Sequence, residues 1–333
     1  LCQPTLFAPQ FYPLCSNRMI TEISPLTGSA YLWLPFRIMN RRRFFSQTVP
    51  LLGASALTPS LLAQGTPQTT AAAATAVAET KLTGRIQKSV KFSMVKAPEL
   101  SLVEQFTMLR EVGFDGTELR TENHPDLNKY LEAIEKSGLK VHGVVNADKP
   151  DLETAVKFAH DLGGSSVLYV ARYDHTRPLM ESWNETQAII RKGLSAAENF
   201  GIKILLENVW AGFIISAFDM ERYVDEINHP SFGAYFDIGN NVRWGVPEHW
   251  IEILGPRIGK LDVKEWDERK HKTEGLSAGF SSKLGEGTIN WEGVRKALVE
   301  IDYEGWASAE VAGGGKERMA DISRRMDLVL GLS

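Results

Sequence analysis

The chain has 333 residues, 43% hydrophobic and 23% charged, with a formal net charge of −4. These are the proportions of an ordinary folded protein and exclude a fibrous or wholly disordered one. The acidic balance argues against a nucleic-acid partner, which needs a basic footprint.

The first 80 or so residues differ from the rest. Asn40-Arg-Arg-Arg-Phe-Phe-Ser46 precedes an apolar stretch from Val49 to Leu62 and a small residue, Ala63. A basic segment, a short apolar run and a small residue at the cleavage point predict an export signal over residues 39–63. The run is too short, and too rich in Pro, Ser, Thr and Gly, for a membrane-spanning helix, so no stable membrane span is expected after cleavage. Arg41-Arg42 with Phe44-Phe45 resembles a twin-arginine signal, with an ordinary secretory signal as the alternative, and a periplasmic destination follows. Met39 stands just before it, so translation is expected to begin there, with residues 1–38 an extension lacking fold logic of its own. Residues 64–87, which include Thr70-Ala-Ala-Ala-Ala-Thr-Ala76, read as a flexible linker. Removing residues 1–63 takes away five arginines and one glutamate, leaving 32 basic against 40 acidic residues. Both cysteines, Cys2 and Cys15, go with that segment. The remaining chain can neither form a disulfide nor use a thiol.

From Lys88 onward, short apolar runs alternate with helical periodicity. The run Val90–Met94 precedes a helix over Leu102–Val112, closed at Gly113. Gly116–Leu119 precedes Asp126–Lys136, and Lys140–Val145 precedes Leu152–Leu162. Ser166–Ala171 precedes a helix from Asn184 to Phe200, and Ile202–Val209 precedes Asp219–Ile227. The second half continues with Phe232–Ile238, the helix Pro247–Leu254, Ile258–Lys264, the helix Trp291–Ile301, Trp306–Val311 and a last helix, Glu317–Leu330. Eight strand–helix units over residues 88–333 predict a (β/α)₈ barrel. A doubly wound open sheet is the alternative, but no Gly-rich dinucleotide fingerprint follows the first strand.

Four of the predicted strands carry one acid near the C-terminal end: Glu207, Asp237, Asp262 and Glu310. In a barrel of this class functional groups gather at the C-terminal strand ends, and these four come from adjacent strands. Carboxylates converging in an apolar mouth are costly unless a cation neutralises them. A divalent metal held by oxygen ligands is the expected occupant, with helix caps or lysine pairs as the structural alternative. Alternation sends Lys264 to the side of Asp262.

Other candidates are less specific. Glu118 ends the second strand and suits a substrate contact. His142, on the third, suits either a contact or a hydrogen-bonded wall residue. Arg172 suits an anion clamp or a surface salt bridge. Trp210 and Trp244 suit stacking on a sugar face or loop packing. Glu286 sits between Gly285 and Gly287, which point first to turn geometry. His175, His249 and His271 lack metal-ligand spacing.

Leu206-Glu-Asn208, Phe236-Asp-Ile-Gly-Asn240, Leu261-Asp-Val-Lys264, Leu284-Gly-Glu-Gly-Thr-Ile-Asn-Trp291 and Ser308-Ala-Glu310 resemble the xylose isomerase-like sugar phosphate isomerase/epimerase family, over about residues 88–331. The resemblance implies a TIM barrel with a divalent metal held by Glu, Asp, His and Glu. It implies that Glu207, Asp237 and Glu310 are ligands, with Glu207 and Glu310 also the catalytic acid/base pair. Where the family usually has His-Val-Lys-Asp, this chain has Asp262-Val-Lys264-Glu265, and Asn240 and Asn241 stand where many relatives carry a histidine. An all-carboxylate set favours Mn²⁺ or Mg²⁺ over Zn²⁺, and Lys264 offsets the added charge.

The expected function is therefore a metal-dependent isomerase or epimerase of a small carbohydrate, working through an enediolate. Export argues against sugar phosphates and for a free or oxidised sugar or a glycoside, with a lyase or dehydratase on a 3-keto sugar as the alternative. A carbohydrate-binding barrel without activity is the reading from another class, and a homo-oligomer is left open. An endonuclease would need a histidine-rich metal cluster and a basic surface, and the sequence has neither.

Overall fold

A computed structural model describes residues 82–121, 126–209 and 212–333. The expected extension, the export signal, most of the linker and Trp210 lie outside the described residues. Eight parallel strands close on themselves in sequence order: β1 Ile86–Lys91, β2 Gly116–Arg120, β3 Lys140–Ala147, β4 Ser166–Tyr169, β5 Lys203–Glu207, β6 Phe232–Asp237, β7 Ile258–Val263 and β8 Gly305–Ala309. The helices are α1 Leu102–Glu111, α2 Leu127–Ser137, α3 Leu152–Asp161, α4 Leu179–Phe200, α5 Ala217–Ile227, α6 Pro247–Leu254, α7 Glu268–Glu274, α8 Trp291–Glu300 and α9 Lys316–Leu330. No helix among the described residues is long and apolar enough to cross a membrane.

Local chemistry explains the element ends. Ser101 and Glu104 form a reciprocal capping box at the start of α1, and Ser216 and Asp219 do the same for α5, satisfying donors that a helix start leaves free. Gly138 and Gly201 close α2 and α4 in the left-handed conformation, at φ 69° and 67°, which costs glycine no Cβ clash.

Three boundaries differ by more than two residues from the sequence expectation, and the short helix α7 was not expected. The barrel begins before residue 88: Leu82 is fully buried and β1 starts at Ile86, so the end of the expected linker belongs to the fold. The strand also stops at Lys91, and Phe92–Met94 form a 3₁₀ turn whose Phe92 ring packs edge-on against Phe106 and Tyr130. Helix α4 starts at Leu179, ahead of Asn184; Leu179 and Met180 are exposed, while Ser182 and Trp183 are buried and begin its inward face.

The main core lies between the barrel wall and the surrounding helices, with Phe106, Leu109, Ile190, Tyr223, Leu254 and Met326 among its buried members. Each such side chain contributes roughly 1.5–3 kcal/mol by leaving water. A smaller apolar cluster, Val145, Leu168, Val170, Leu205 and Tyr235, fills one part of the barrel interior. The remainder of that interior is polar, and it leads to the site.

Candidate active site

Register brings the four acids together. Asp237 on β6 pairs with Asp262 on β7, and Asp262 pairs in turn with Ser308 on β8, two residues before Glu310. The amide of Glu310 donates to the carbonyl of Val263, extending the β7–β8 ladder by one rung, at 3.1 Å. Glu207 closes β5. One oxygen from each of Glu207, Asp237, Asp262 and Glu310 lies within 4.8 Å of the other three, a spacing that one cation with oxygen contacts of roughly 2–2.6 Å can span.

Each ligand candidate is held by its neighbours. Oδ1 of Asp237 accepts from the amides of Gly239 and Asn240 at 2.8 and 2.7 Å, leaving Oδ2 to face Lys264 at 2.9 Å. Asn208, fully buried, accepts from the Asp237 amide and donates to its carbonyl, so its side chain continues the β5–β6 ladder. The Asn240 amide donates to Glu207 Oε1 at 3.1 Å and to the carbonyl of Asn208. Lys264 donates to Asn240 Oδ1 at 2.9 Å and pairs with Glu310 at 2.8 Å. Asp262 has no exposure, and its Oδ1 has no hydrogen-bond partner. A buried carboxylate oxygen without a donor is costly, and a cation at this point would relieve it.

Charge in the site is divided unevenly. Burial and the neighbouring Glu310 push Glu207 up to about 8. Burial also raises Asp237 and carries Asp262 well above the usual carboxylate range, with Lys264 and Lys91 respectively opposing it. Glu310 moves the other way. Burial would raise it, but Lys264 and then Lys91 hold it below the usual value, and its side chain keeps 41% of its surface open. Burial works against the Lys264 charge too, yet Asp237, Glu310 and Glu207 keep its pKa above the ordinary lysine value.

Beneath these acids lies a buried polar network. Lys91 on β1 reaches Asp262 at 2.8 Å and Glu118 at 2.9 Å. Tyr235 donates across the barrel to Glu118 at 2.9 Å. Burial would raise Glu118, but the Lys91 ammonium is the largest influence bringing it down, to about 2. Lys260 donates to the carbonyl of His142 and to its Nδ1, so the ring carries its proton on Nε2 and donates to Ser89 Oγ at 2.6 Å. Burial, then Lys260, keeps His142 well below its ordinary pKa and therefore neutral. Its ring stacks on Trp306 at 4.2 Å. His142 is the extra residue of β3 where the register with β2 shifts from Val141 to Gly143, and such a bulge re-aims a side chain.

Glu118 and His142 are 1% and 3% exposed and lie inside the barrel, where they brace the site from below, His142 in the hydrogen-bonded wall position of its two alternatives. Arg172 is half-exposed and pairs with Asp148 at 2.6 Å, the surface salt bridge of the two alternatives. Trp244 is 47% exposed and lies under the Arg243 guanidinium. Glu286 pairs with Arg325 on α9. Lys264 alone of the proposed substrate contacts among the described residues lines the cavity beside the acids.

That cavity, about 390 Å³, is lined by Asn240, Lys264, Ser277, Phe280, Glu310, Val311 and Ala312. Lys91 and Phe280 are residues that the sequence did not mark, and Asn208 and Asn240 stood there only within the motifs, without a role at the site. Asn208 and Asn240 each stand within three residues of a strand-end acid, the one local signal that could have drawn attention to them.

A parallel eight-stranded barrel with an acidic cluster at the C-terminal strand ends defines the class: a (β/α)₈ protein with a candidate metal centre. Residues 106–328 match the xylose isomerase-like TIM barrel family, and the chain belongs to that family. An uncharacterized protein of Methanocaldococcus jannaschii is 29% identical over 251 residues, covering 66% of this chain and 81% of the relative. Inosose dehydratase of Clostridium botulinum is 25% identical over 234 residues, covering 60% and 78%. Among solved structures, 3-keto-D-glucoside 4-epimerase from E. coli superposes with a TM-score of 0.60 at 15% identity, covering 74% of this chain and 98% of that one. The IolI protein with a bound zinc atom does so with the same score, identity and coverage.

Proposed function

We propose that this protein is a divalent-metal-dependent carbohydrate enzyme whose reaction begins by removing a proton from a carbon beside a carbonyl. The observation that carries the reading is the convergence of Glu207, Asp237, Asp262 and Glu310 from four consecutive strands to within 4.8 Å. Their all-oxygen donor set favours Mn²⁺ or Mg²⁺, although the IolI structure contains zinc. A bound ion would polarise the substrate carbonyl and its neighbouring hydroxyl, making the adjacent C–H acidic.

The protein's own groups supply the proton steps. Glu310, kept ionised by Lys264 and open to the cavity, is placed to accept a proton from substrate. Glu207, on the other outer strand of the four, would give up its own proton to a bound cation and is placed, as the second carboxyl of the pair, to carry the return proton step. Opposed tuning of the two carboxyl groups in the metal-free protein is a pattern of acid/base pairs. Lys264 fixes Glu310 and Asp237 and presents its ammonium to substrate oxygens. Proton return on the opposite face inverts the centre, whereas loss of a β-leaving group gives elimination. The dehydratase among the relatives and the 3-keto-glucoside epimerase among the structures support elimination from a 3-keto sugar as the second reading. Export through the Arg41-Arg42 signal is part of the proposal and favours free or oxidised sugars and glycosides over sugar phosphates.

The test is deuterium wash-in. Chelator-treated protein is incubated in D₂O with D-fructose, D-tagatose or methyl 3-keto-β-D-glucoside, with and without Mn²⁺, and followed by NMR. Exchange beside the carbonyl that depends on Mn²⁺ is expected. Absence of exchange with every ketose, or exchange indifferent to metal, would overturn the proposal.

A further inference from the structure

The connection from β7 to α8 builds one wall of the cavity. Trp266, fully buried, is the pivot of this segment. Its indole donates to Glu268 at 2.9 Å, its carbonyl accepts from the Thr288 amide, and the Asp267 amide donates to the carbonyl of Gly279 at 2.7 Å. Gly279 lies flat against the indole, where an added Cβ would come within 2.5 Å of the ring. The next residue is Phe280. The Trp266 ring meets it edge-on at 4.8 Å, which fixes the phenyl plane without a hydrogen bond.

Phe280 is the aromatic ring among the residues lining the cavity, together with the polar Asn240, Lys264 and Glu310. The Lys264 ammonium lies over the phenyl ring, 5.7 Å from its centre. A ligand entering that space meets an apolar π-face beside hydrogen-bonding groups. Sugar rings have that division, with C–H bonds across a face and hydroxyls around the edge, and aromatic faces bind such surfaces through dispersion and the ring quadrupole. The neighbouring acids need no aromatic group to hold a cation, so Phe280 has no role in the metal centre itself.

We infer that Phe280 is the stacking platform for the substrate ring and a specificity-determining residue, held by Trp266 and Gly279 in a rigid wall. This rests on the carbohydrate reading above. A platform set by packing loses little entropy on binding. Ligands with an uninterrupted C–H face, such as a pyranoside, are favoured over small acyclic ketones.

The experiment compares wild type with Phe280→Ala, Phe280→Leu and Phe280→Tyr. Mn²⁺-dependent exchange is measured on methyl 3-keto-β-D-glucoside and on dihydroxyacetone. Mn²⁺ affinity and melting temperature serve as controls for site and fold. Removing the ring is expected to raise KM for the glucoside roughly 10-fold in both the Ala and Leu variants, with Tyr near wild type. KM for dihydroxyacetone and the Mn²⁺ affinity should move little. Equal behaviour of Leu and Phe would reduce the ring to wall packing and overturn the inference, as would equal losses on both ketones. Failure of wild type to exchange any ketose would instead remove the carbohydrate reading, and this inference with it.

Discussion

Glu207 and Glu310 come from the two outer strands of the metal-site quartet, and their surroundings tune them in opposite directions. Exchanging either for glutamine keeps size and shape while removing its proton chemistry. Glu207→Gln and Glu310→Gln should each lower C–H exchange by ~10²–10⁴-fold, with circular dichroism and melting unchanged within a few degrees. Retained exchange in either variant would remove that residue from the acid/base pair. The raised pKa of Glu207 also makes a pH prediction. Its carboxyl moves from an ordinary 4.5 to about 8 in the folded, metal-free protein. Between those values the folded state holds a proton that the unfolded state releases, so metal-free stability falls as pH rises through the window. A cation must displace that proton. Mn²⁺ affinity should therefore rise roughly tenfold per pH unit from 6 toward 8 and then level off, as calorimetry would record. A pH-independent affinity would contradict the assignment of Glu207 as a ligand.

Lys91 shows why part of the site was hidden in the sequence. Alternation of Val90 with Phe92 marks Lys91 as the solvent side of a half-buried strand. In a closed parallel barrel the other side is the interior, and there Lys91 stands between Asp262 and Glu118. The four acids themselves were legible because each stands near the end of an apolar run. Their cationic partners were not, since a lysine in a strand gives no sign of which distant acid it meets. Removing one member of a buried ion pair leaves the others unpaired. Lys91→Met should cost about 3–5 kcal/mol in urea denaturation, and adding Glu118→Gln should recover part of it. A loss below about 1 kcal/mol, the range of exposed pairs, would mean that Lys91 is not a structural counter-charge.

At the scale of elements, the segment Leu284–Trp291 illustrates a motif read correctly for its turn and incompletely for its purpose. Gly285 adopts φ 82°, as a glycine in a turn can. The more demanding glycine is Gly287, where a Cβ would approach Glu265 Oε1 and the Trp266 carbonyl to 2.4 Å. Glu265 accepts from the Gly285 amide and from the Trp291 indole at 2.6 and 2.9 Å, so the motif is the packing surface of a buried carboxylate next to Lys264. Gly287→Ala should destabilise by about 1–3 kcal/mol through overpacking and lower exchange by disturbing the 264–266 backbone. Chemical denaturation and the exchange assay check the two effects separately. Strand and helix order was legible because all eight units repeat one pattern. The early start of α4 was not, because Leu179 and Met180 are exposed and carry no helical burial signal.

The whole molecule places one acidic centre at the mouth of a barrel whose interior is partly apolar and partly ionic. Five carboxyl groups, Glu118, Glu207, Asp237, Asp262 and Glu310, share that region with the lysines Lys91, Lys260 and Lys264. Burial lowers Lys260 to about 7, so at neutral pH its charge is incomplete. With all five carboxyl groups ionised, negative charge is in excess, and one divalent ion, displacing the proton that Glu207 otherwise holds, brings the set close to balance. Titrating chelator-treated protein with Mn²⁺ by electron paramagnetic resonance, alongside Asp237→Asn and Glu310→Gln, measures this directly. The account predicts one saturable Mn²⁺ per wild-type chain, displaced by Mg²⁺ and weakened roughly 100-fold in each variant; no stoichiometric site, or a site of unchanged affinity in both variants, would contradict it.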